Sequence, residues 1–232
     1  MRFAQRVKEE TPEPLHAMYV VGSVLTPDYN PACSDINSVI VVKEKEPPFL
    51  DFLIGLGKIF REKKVAPPLV MTADYIQRSL DVFPIEFLNF REIHHTLYGE
   101  DYLKELLIDD QFLRLQCERE IKAKLLWLGQ VYLEALGDQR ELSQKLTGSV
   151  TGYLPLFRAI LRLAGHEIPL ACNEVTAGLQ QVLDFDSEIF LRLYRMKTTD
   201  RQLTDKDELC SCFSRYYQAT EKIADYVDAL SY

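Results

Sequence analysis

The chain of 232 residues carries 35 acidic against 27 basic side chains, a formal net charge of −8, and its densest basic stretch, Lys58 to Lys64, is broken by Glu62. An acidic surface repels phosphate backbones at long range, so no nucleic-acid partner is expected. With 47% hydrophobic and 27% charged residues the chain is globular rather than disordered, and it has neither a signal-peptide core in MRFAQRVKEETPEP nor a run near the roughly 18–20 apolar residues of a membrane span, so a cytoplasmic protein without a membrane partner is expected.

Residues 17–22, AMYVVG, and 36–42, INSVIVV, are short apolar runs with the length and β-branched content of strands. The turn-rich stretch SVLTPDYNPACSD separates them, and Pro47 and Pro48 end the second, since proline cannot continue a ladder. Residues 49–63 place Phe49, Leu50, Phe52, Leu53, Leu56, Ile59 and Phe60 at helical spacing. PLVMT at 68–72 predicts a third strand, with Thr72 capping a short helix that runs to Leu80. FPIEFLNF at 83–90 predicts a fourth strand with Pro84 at its start or on an edge, and REIHHTLYGED a turn into the next helix, with His94 and His95 in that turn.

From about Tyr102 the strand pattern stops. Residues 110–136 predict one long helix, with Phe112, Leu115, Ile121, Leu125, Leu128, Tyr132 and Leu136 as its apolar stripe, Trp127 in the core and Gly137 as its stop. Helices are expected at 139–147, 149–164, 173–183, 187–195 and 206–229, broken at Gly165, Pro169 and Asp200, with Tyr216 and Tyr217 as a core-and-rim pair. Strands followed by helices define an α+β chain: a small mixed sheet with helices in residues 1–105, then an all-helical bundle in 106–232. The five cysteines, Cys33, Cys117, Cys172, Cys210 and Cys212, are odd in number and scattered, so disulfides are not expected. The Cys210–Cys212 pair lacks the further ligands of a zinc site.

The informative segment is the first strand ending in Gly22-Ser23, a loop, and Asp35-Ile36-Asn37 opening the second strand. This order resembles the polymerase-β-like nucleotidyltransferases, including the antibiotic-modifying, kanamycin nucleotidyltransferase-like members, whose signature is Gly-Ser, about ten loop residues and Asp-x-Asp. The resemblance covers about residues 15–137. It takes in HTLYGED at 95–101, which is similar to the end of the first domain in small members, and LLWLG at 125–129, which is similar to the start of their helical bundle. On this resemblance Gly22 and Ser23 would bind nucleotide, Asp35, Asn37 and Glu86 would hold Mg²⁺, and Asp35 and Glu86 would be catalytic, Glu86 matching a third carboxylate carried on a later strand. Without it, Gly22-Ser23 and Asp35 also suit a strand end, a loop and a capping Asp, and Glu86 the solvent face of an edge strand.

The chemistry explains the pattern. Side chains two apart on a strand share a side, so Asp-x-Asp presents two carboxylates together, and a third completes a site for two hard cations. Such metals stabilise a leaving pyrophosphate and lower the pKa of an attacking hydroxyl. Gly-Ser lets the backbone approach phosphates, and the hydroxyl donates to them. This chain has Asn37 where the family has its second Asp, and Val24-Leu25-Thr26 where many members carry an arginine; Asp28 is a loop carboxylate that would substitute only in part. The resemblance with these departures implies a nucleotidyltransferase-like protein with weak or absent Mg²⁺ binding and weak or lost transfer. The alternatives are an active Mg-dependent enzyme passing an NMP group from a nucleoside triphosphate to a small-molecule or protein hydroxyl, and a non-catalytic interaction scaffold. In antibiotic-modifying members the acceptor sits between the domains, sometimes across a dimer. Carried over, that arrangement would allow a homodimer and put Tyr98 to Glu105 and the helix at 110–136 along the cleft.

Overall fold

The computed structural model describes residues 2–11, 14–32, 34–44 and 47–231; Cys33, and the side chains of residues 2, 3 and 58–62 with Ile59 and Phe60 among them, lie outside the described residues. The chain divides into two compact units, Met1–Ile108 and Asp109–Tyr232.

Unit 1 is built on one mixed sheet of four strands, β1 (Leu15–Val21), β2 (Asn37–Val42), β3 (Leu69–Thr72) and β4 (His94–Gly99), in the order β3-β2-β1-β4. β1 runs antiparallel to both β2 and β4, whereas β2 and β3 are parallel. A parallel pair needs a crossover, and the helix α2 (Pro47–Glu62) supplies it. The prolines that stop β2 therefore also open α2, where a missing N–H costs nothing. Ahead of the sheet lies α1 (Arg2–Glu10), an element the sequence reading did not anticipate. Val7 of α1, Met18, Ile40 and Val42 of the sheet, and Phe49, Leu53 and Leu56 of α2 form one core cluster. Ala17, Tyr19, Val21, Val39 and Val41, which point to the opposite side, are buried as well. Burial on both sides explains why the first two strands read as continuous apolar runs without alternation.

After β3, Thr72 Oγ1 accepts the Tyr75 N–H at 3.1 Å and caps α3 (Ala73–Gln77) as expected. The next segment departs from expectation. Residues 83–90 are not a strand but the start of α4 (Pro84–Glu92), with Pro84 in the first helical turn. Its buried residues are Pro84, Ile85, Phe87 and Leu88, a spacing of one, three and four that a helix places on one side and a strand would split between two. The fourth strand is made instead by His94–Gly99, the stretch expected to be a turn. There His94, Thr96 and Tyr98 are half-buried and alternate with exposed His95, Leu97 and Gly99. The burial has the period of a strand, but the residue chemistry hides it, since an apolar Leu97 faces out and polar His94 and Thr96 face in.

Gly99 marks the tightest crossing in unit 1. Its φ is +78°, and a Cβ there would lie 1.8 Å from the carbonyl oxygen of His16 on β1.

Unit 2 is helical throughout its described residues: α5 (Asp110–Glu134), α6 (Gln139–Ser149), a 3-10 turn (Val150–Tyr153), α7 (Leu154–Leu163), α8 (Cys172–Val182), α9 (Glu188–Thr198) and α10 (Lys206–Ala229). Asp109, Asp138 and Asp205 cap α5, α6 and α10 by accepting the main-chain N–H of Gln111, Glu141 and Glu208. The buried stripe of α5, however, is Leu113, Gln116, Cys117, Ile121, Leu128 and Val131. Phe112, Leu115, Tyr132 and Leu136, expected on that stripe, are exposed, and so is Trp127. Both faces of α5 carry large apolar residues, so the sequence offered two stripes, and packing against α7 and α10 selects the one with the smaller side chains. An aromatic cluster of Tyr153, Phe157, Phe185, Phe190 and Tyr216 fills the centre. Its two hydroxyls are satisfied, Tyr153 with Thr220 Oγ1 at 3.1 Å and Tyr216 with Ser149 Oγ at 3.0 Å. Burial pushes the Tyr153 phenol up to about 12 and that of Tyr216 well above its ordinary value. Tyr217 is half-buried at the rim. Cys117, Cys172 and Cys212 are buried and Cys210 is half-buried, and these four form no disulfide. Among the described residues no helix is long and apolar enough to cross a membrane.

Two stability measurements follow from these contacts. Gly99→Ala combines a positive φ with a backbone clash and should cost about 3 kcal/mol or more in urea denaturation, whereas Gly55→Ala, with nothing within 4 Å of its added Cβ, should not destabilise. The second concerns Asp186, which Arg215 grips with Nε at 2.6 Å and Nη2 at 3.1 Å. This hydrogen bond holds the Asp186 carboxyl below its ordinary value. The stabilisation is therefore complete above the ordinary aspartate value of about 4 and is lost as pH falls through the depressed one. Asp186→Asn should cost about 0.5–1 kcal/mol at neutral pH, and the curves of the two proteins should converge in acid when stability is followed from about pH 7 to 2.

Candidate functional site

The site is set by where β1 ends. Gly22 follows the last residue of β1 and donates its N–H to Ile93 O at 3.2 Å. Its φ is +82°, a conformation natural to glycine. The chain then turns at once: Leu25 N–H reaches Gly22 O at 3.0 Å, and the Thr26 N–H and hydroxyl both reach Ser23 O, at 3.0 and 2.9 Å. Ser23–Leu25 form a 3-10 turn with Ser23 exposed. Asp28 lies in the next turn, closed by Tyr29 N–H to Thr26 O at 3.2 Å.

β2 starts beside this corner. Val21 pairs with Asn37, and the Asn37 side-chain amide lies 3.6 Å from the point where a Cβ on Gly22 would sit. The structure thus brings Gly22 and Asn37 together at one end of the sheet. Asp35 stands just before β2 in the lead-in to Asn37, exposed. Ile36 between them bridges Val65, with Ile36 N–H to Lys64 O at 2.8 Å and Ala66 N–H to Ile36 O at 3.0 Å.

Glu86, expected on a strand beside Asp35, is instead an exposed residue in the first turn of α4. The apolar run around it was mistaken for a strand, and the correction removes the expected third carboxylate from the sheet. None of the four strands, LHAMYVV, NSVIVV, LVMT and HHTLYG, carries an Asp or Glu. The row of paired residues through Asn37 continues across the sheet as Val21 and His94. Among the described residues no group of three or more His, Cys, Asp or Glu side chains is arranged to hold a metal ion. A site for two Mg²⁺ ions needs several anionic oxygens. One carboxylate and one neutral amide at the head of β2 do not fit it.

Two contacts escaped the sequence reading. Lys64, with φ of +53°, donates Nζ to Pro31 O at 2.8 Å and Ala32 O at 2.6 Å, tying down the loop that leads into Asp35. A lysine after a helix carries no sequence signal for such a tether. The second is a knot behind the sheet. The ring nitrogens of His94 face Phe90 O at 2.8 Å and Arg91 O at 3.0 Å on one side and Asp101 Oδ1 at 2.8 Å on the other. Tyr19 packs edge-on against that ring, donates to Glu100 O at 2.5 Å and accepts the Tyr102 N–H at 2.9 Å. Burial lifts the Tyr19 phenol to about 12, so it stays protonated and able to donate.

A mixed β3-β2-β1-β4 sheet with Gly-Ser between its first two strands, followed by a helical unit, is the nucleotidyltransferase fold with a helical C-terminal region. No protein-family model matches the chain, and no curated protein does. Among solved structures it is similar to spectinomycin adenyltransferase AAD(9) from Enterococcus faecialis, crystallised with ATP and spectinomycin. The likeness has a TM-score of 0.57 at 12% identity and covers 95% of this chain and 97% of that one. At that identity the likeness is one of fold.

The tether gives a local test. Lys64→Ala removes two charge-assisted hydrogen bonds from an exposed loop, so global stability should change by less than about 1 kcal/mol. Amide exchange at Ser34, which donates to Asn30 O within that loop, should speed up by about tenfold or more in hydrogen-exchange measurements.

Proposed function

We propose that this chain is a nucleotidyltransferase-fold protein that keeps the Gly-Ser corner of the fold but carries out nucleotidyl transfer weakly or not at all. The observation that supports this reading is the lack of any carboxylate on the sheet, with neutral Asn37 at the strand position where the family pattern has an acid. In this reading Gly22 leaves room for a phosphate to approach the backbone, and the Ser23 hydroxyl donates to it. The Asn37 amide offers an oxygen without charge or an N–H donor. Asp35 before β2, with Asp28 in the loop, is too little to gather the cations a triphosphate brings with it. Nucleoside triphosphate would therefore bind weakly.

A second reading is active transfer of an adenylyl or other NMP group to a small-molecule hydroxyl, with Asp35 and Glu86 as the acids. It is favoured by the similar structure having been crystallised with ATP and spectinomycin. Fold likeness alone does not choose between the readings.

Calorimetric titration with Mg²⁺ and each of the four nucleoside triphosphates separates them. Weak or undetectable binding by the wild type is expected. Asn37→Asp should strengthen metal-dependent binding by about tenfold, as a carboxylate restored beside a divalent cation would. Asp35→Ala should abolish whatever binding remains. Tight wild-type binding with measurable pyrophosphate release would overturn the proposal in favour of the active enzyme, and tight binding untouched by Asp35→Ala would move the nucleotide away from this corner.

A further inference from the structure

Two ammonium groups of unit 2 converge on one turn. Lys124, on α5, places Nζ 4.6 Å from the centroid of the Tyr153 ring. Lys197, near the end of α9, donates Nζ to Thr151 Oγ1 at 2.9 Å. Both reach the 3-10 turn Val150–Tyr153, and both side chains are half-buried. The residue between their targets is Gly152, which is exposed. A Cβ there would meet Lys124 Nζ at 3.2 Å and nothing else within 4 Å. The missing side chain leaves open space directly over the turn and beside that ammonium.

Among the described residues neither lysine is in a salt bridge. Glu120, one turn before Lys124, is paired with Arg119 and acts on Lys124 only from further off. No carboxylate oxygen among the described residues lies within 4 Å of either Nζ, in a chain with eight more acidic than basic side chains. A cation held partly out of water without a partner is costly, and two such cations around one turn repel each other. The Tyr153 ring face offsets part of the cost for Lys124. Burial still pushes the Lys124 ammonium below its ordinary pKa, more than Glu120 pushes it up. An anion seated over Gly152 would meet both charges and relieve both costs. A carboxylate would neutralise one of them; a phosphate dianion matches two.

We propose that Lys124 and Lys197, set on either side of Gly152, form a binding site for a phosphate-class dianion on the helical unit. The Thr151 hydroxyl, already oriented by Lys197, is positioned to join them. All of its residues belong to unit 2.

The test uses the full chain in metal-free, low-salt buffer, titrated by calorimetry with inorganic phosphate, pyrophosphate and AMP, with chloride at matched ionic strength as control. Saturable binding beyond the chloride control is expected. Lys124→Met and Lys197→Met should each weaken it by about tenfold, the loss of one charge-assisted contact, while Lys124→Arg keeps most of it. AMP binding more tightly than inorganic phosphate would identify a nucleotide as the source of the phosphate, and the reverse order a free phosphate. Should Lys124→Met fail to fold, Lys197→Met decides, together with mass-spectrometric mapping of lysine acetylation, in which phosphate should protect Lys124 but not exposed Lys63. Asp35→Ala should leave the phosphate affinity unchanged, so loss of this site and failure of the nucleotide reading at Gly22 are told apart. No saturable binding by the wild type, or equal binding by wild type and both methionine variants, overturns the proposal.

Discussion

Unit 1 depends on one constraint: β1 is hydrogen-bonded along both of its edges, to β2 on one side and β4 on the other. A strand in that position cannot shift register without breaking two ladders at once. Its end is therefore fixed, and Gly22 must turn the chain within a single residue. The left-handed φ at Gly22, the N–H bond to Ile93 and the 3-10 turn at Ser23 are all consequences of that abrupt exit. So is the nearness of Asn37, which pairs with the last residue of β1. The corner is a product of sheet topology more than of the few polar groups that line it.

How much of this was legible in the sequence varied by element, for physical reasons. β1 and β2 were readable because strands buried on both sides are short apolar runs bounded by turn residues, and β3 because its apolar run lies between Pro68 and the cap at Thr72. The capping of α3 by Thr72 was readable because a cap is a local hydrogen bond. The exchange of strand and helix between residues 83 and 99 was not. PIEFLNF is apolar enough to suit either element, and HHTLYG has β formers in Thr96 and Tyr98 but no alternating polarity. Its place as a strand comes from β1, whose free edge accepts it, and from the knot joining His94, Tyr19 and Asp101. That error carried into the candidate site, since Glu86 drew its assigned role from lying on a strand. The departure at Asn37, by contrast, was visible from the family resemblance, and the strand end at Gly22 from an apolar run followed by turn residues.

The helical unit shows the same division. Helix positions followed from apolar periodicity and breakers, but which face of α5 points inward did not. Leu and Phe occur all round that helix, and the buried stripe includes Gln116 and Cys117, which no hydrophobic count would choose. The pairing of polar groups at the core, Tyr153 with Thr220 and Tyr216 with Ser149, joins residues 67 apart in the chain and leaves no local trace. The two lysines at the Gly152 turn are of this kind too, because their approach to one turn shows only once neighbours in space are known.

The way α5 meets α10 has a consequence for the order in which the protein is made. Arg114 on α5 donates to the main-chain carbonyl of Leu230, 116 residues later, and Lys122 pairs with Asp228, 106 residues later. During synthesis α5 emerges early and must wait for nearly all of unit 2 before its principal neighbour exists. Loop closure over such separations is slow compared with helix formation. For that interval the inward face of α5, Leu113 to Val131, has α7 against it but not yet α10. A chain halted short of α10 would leave open to water the part of that face that α10 covers in the folded unit.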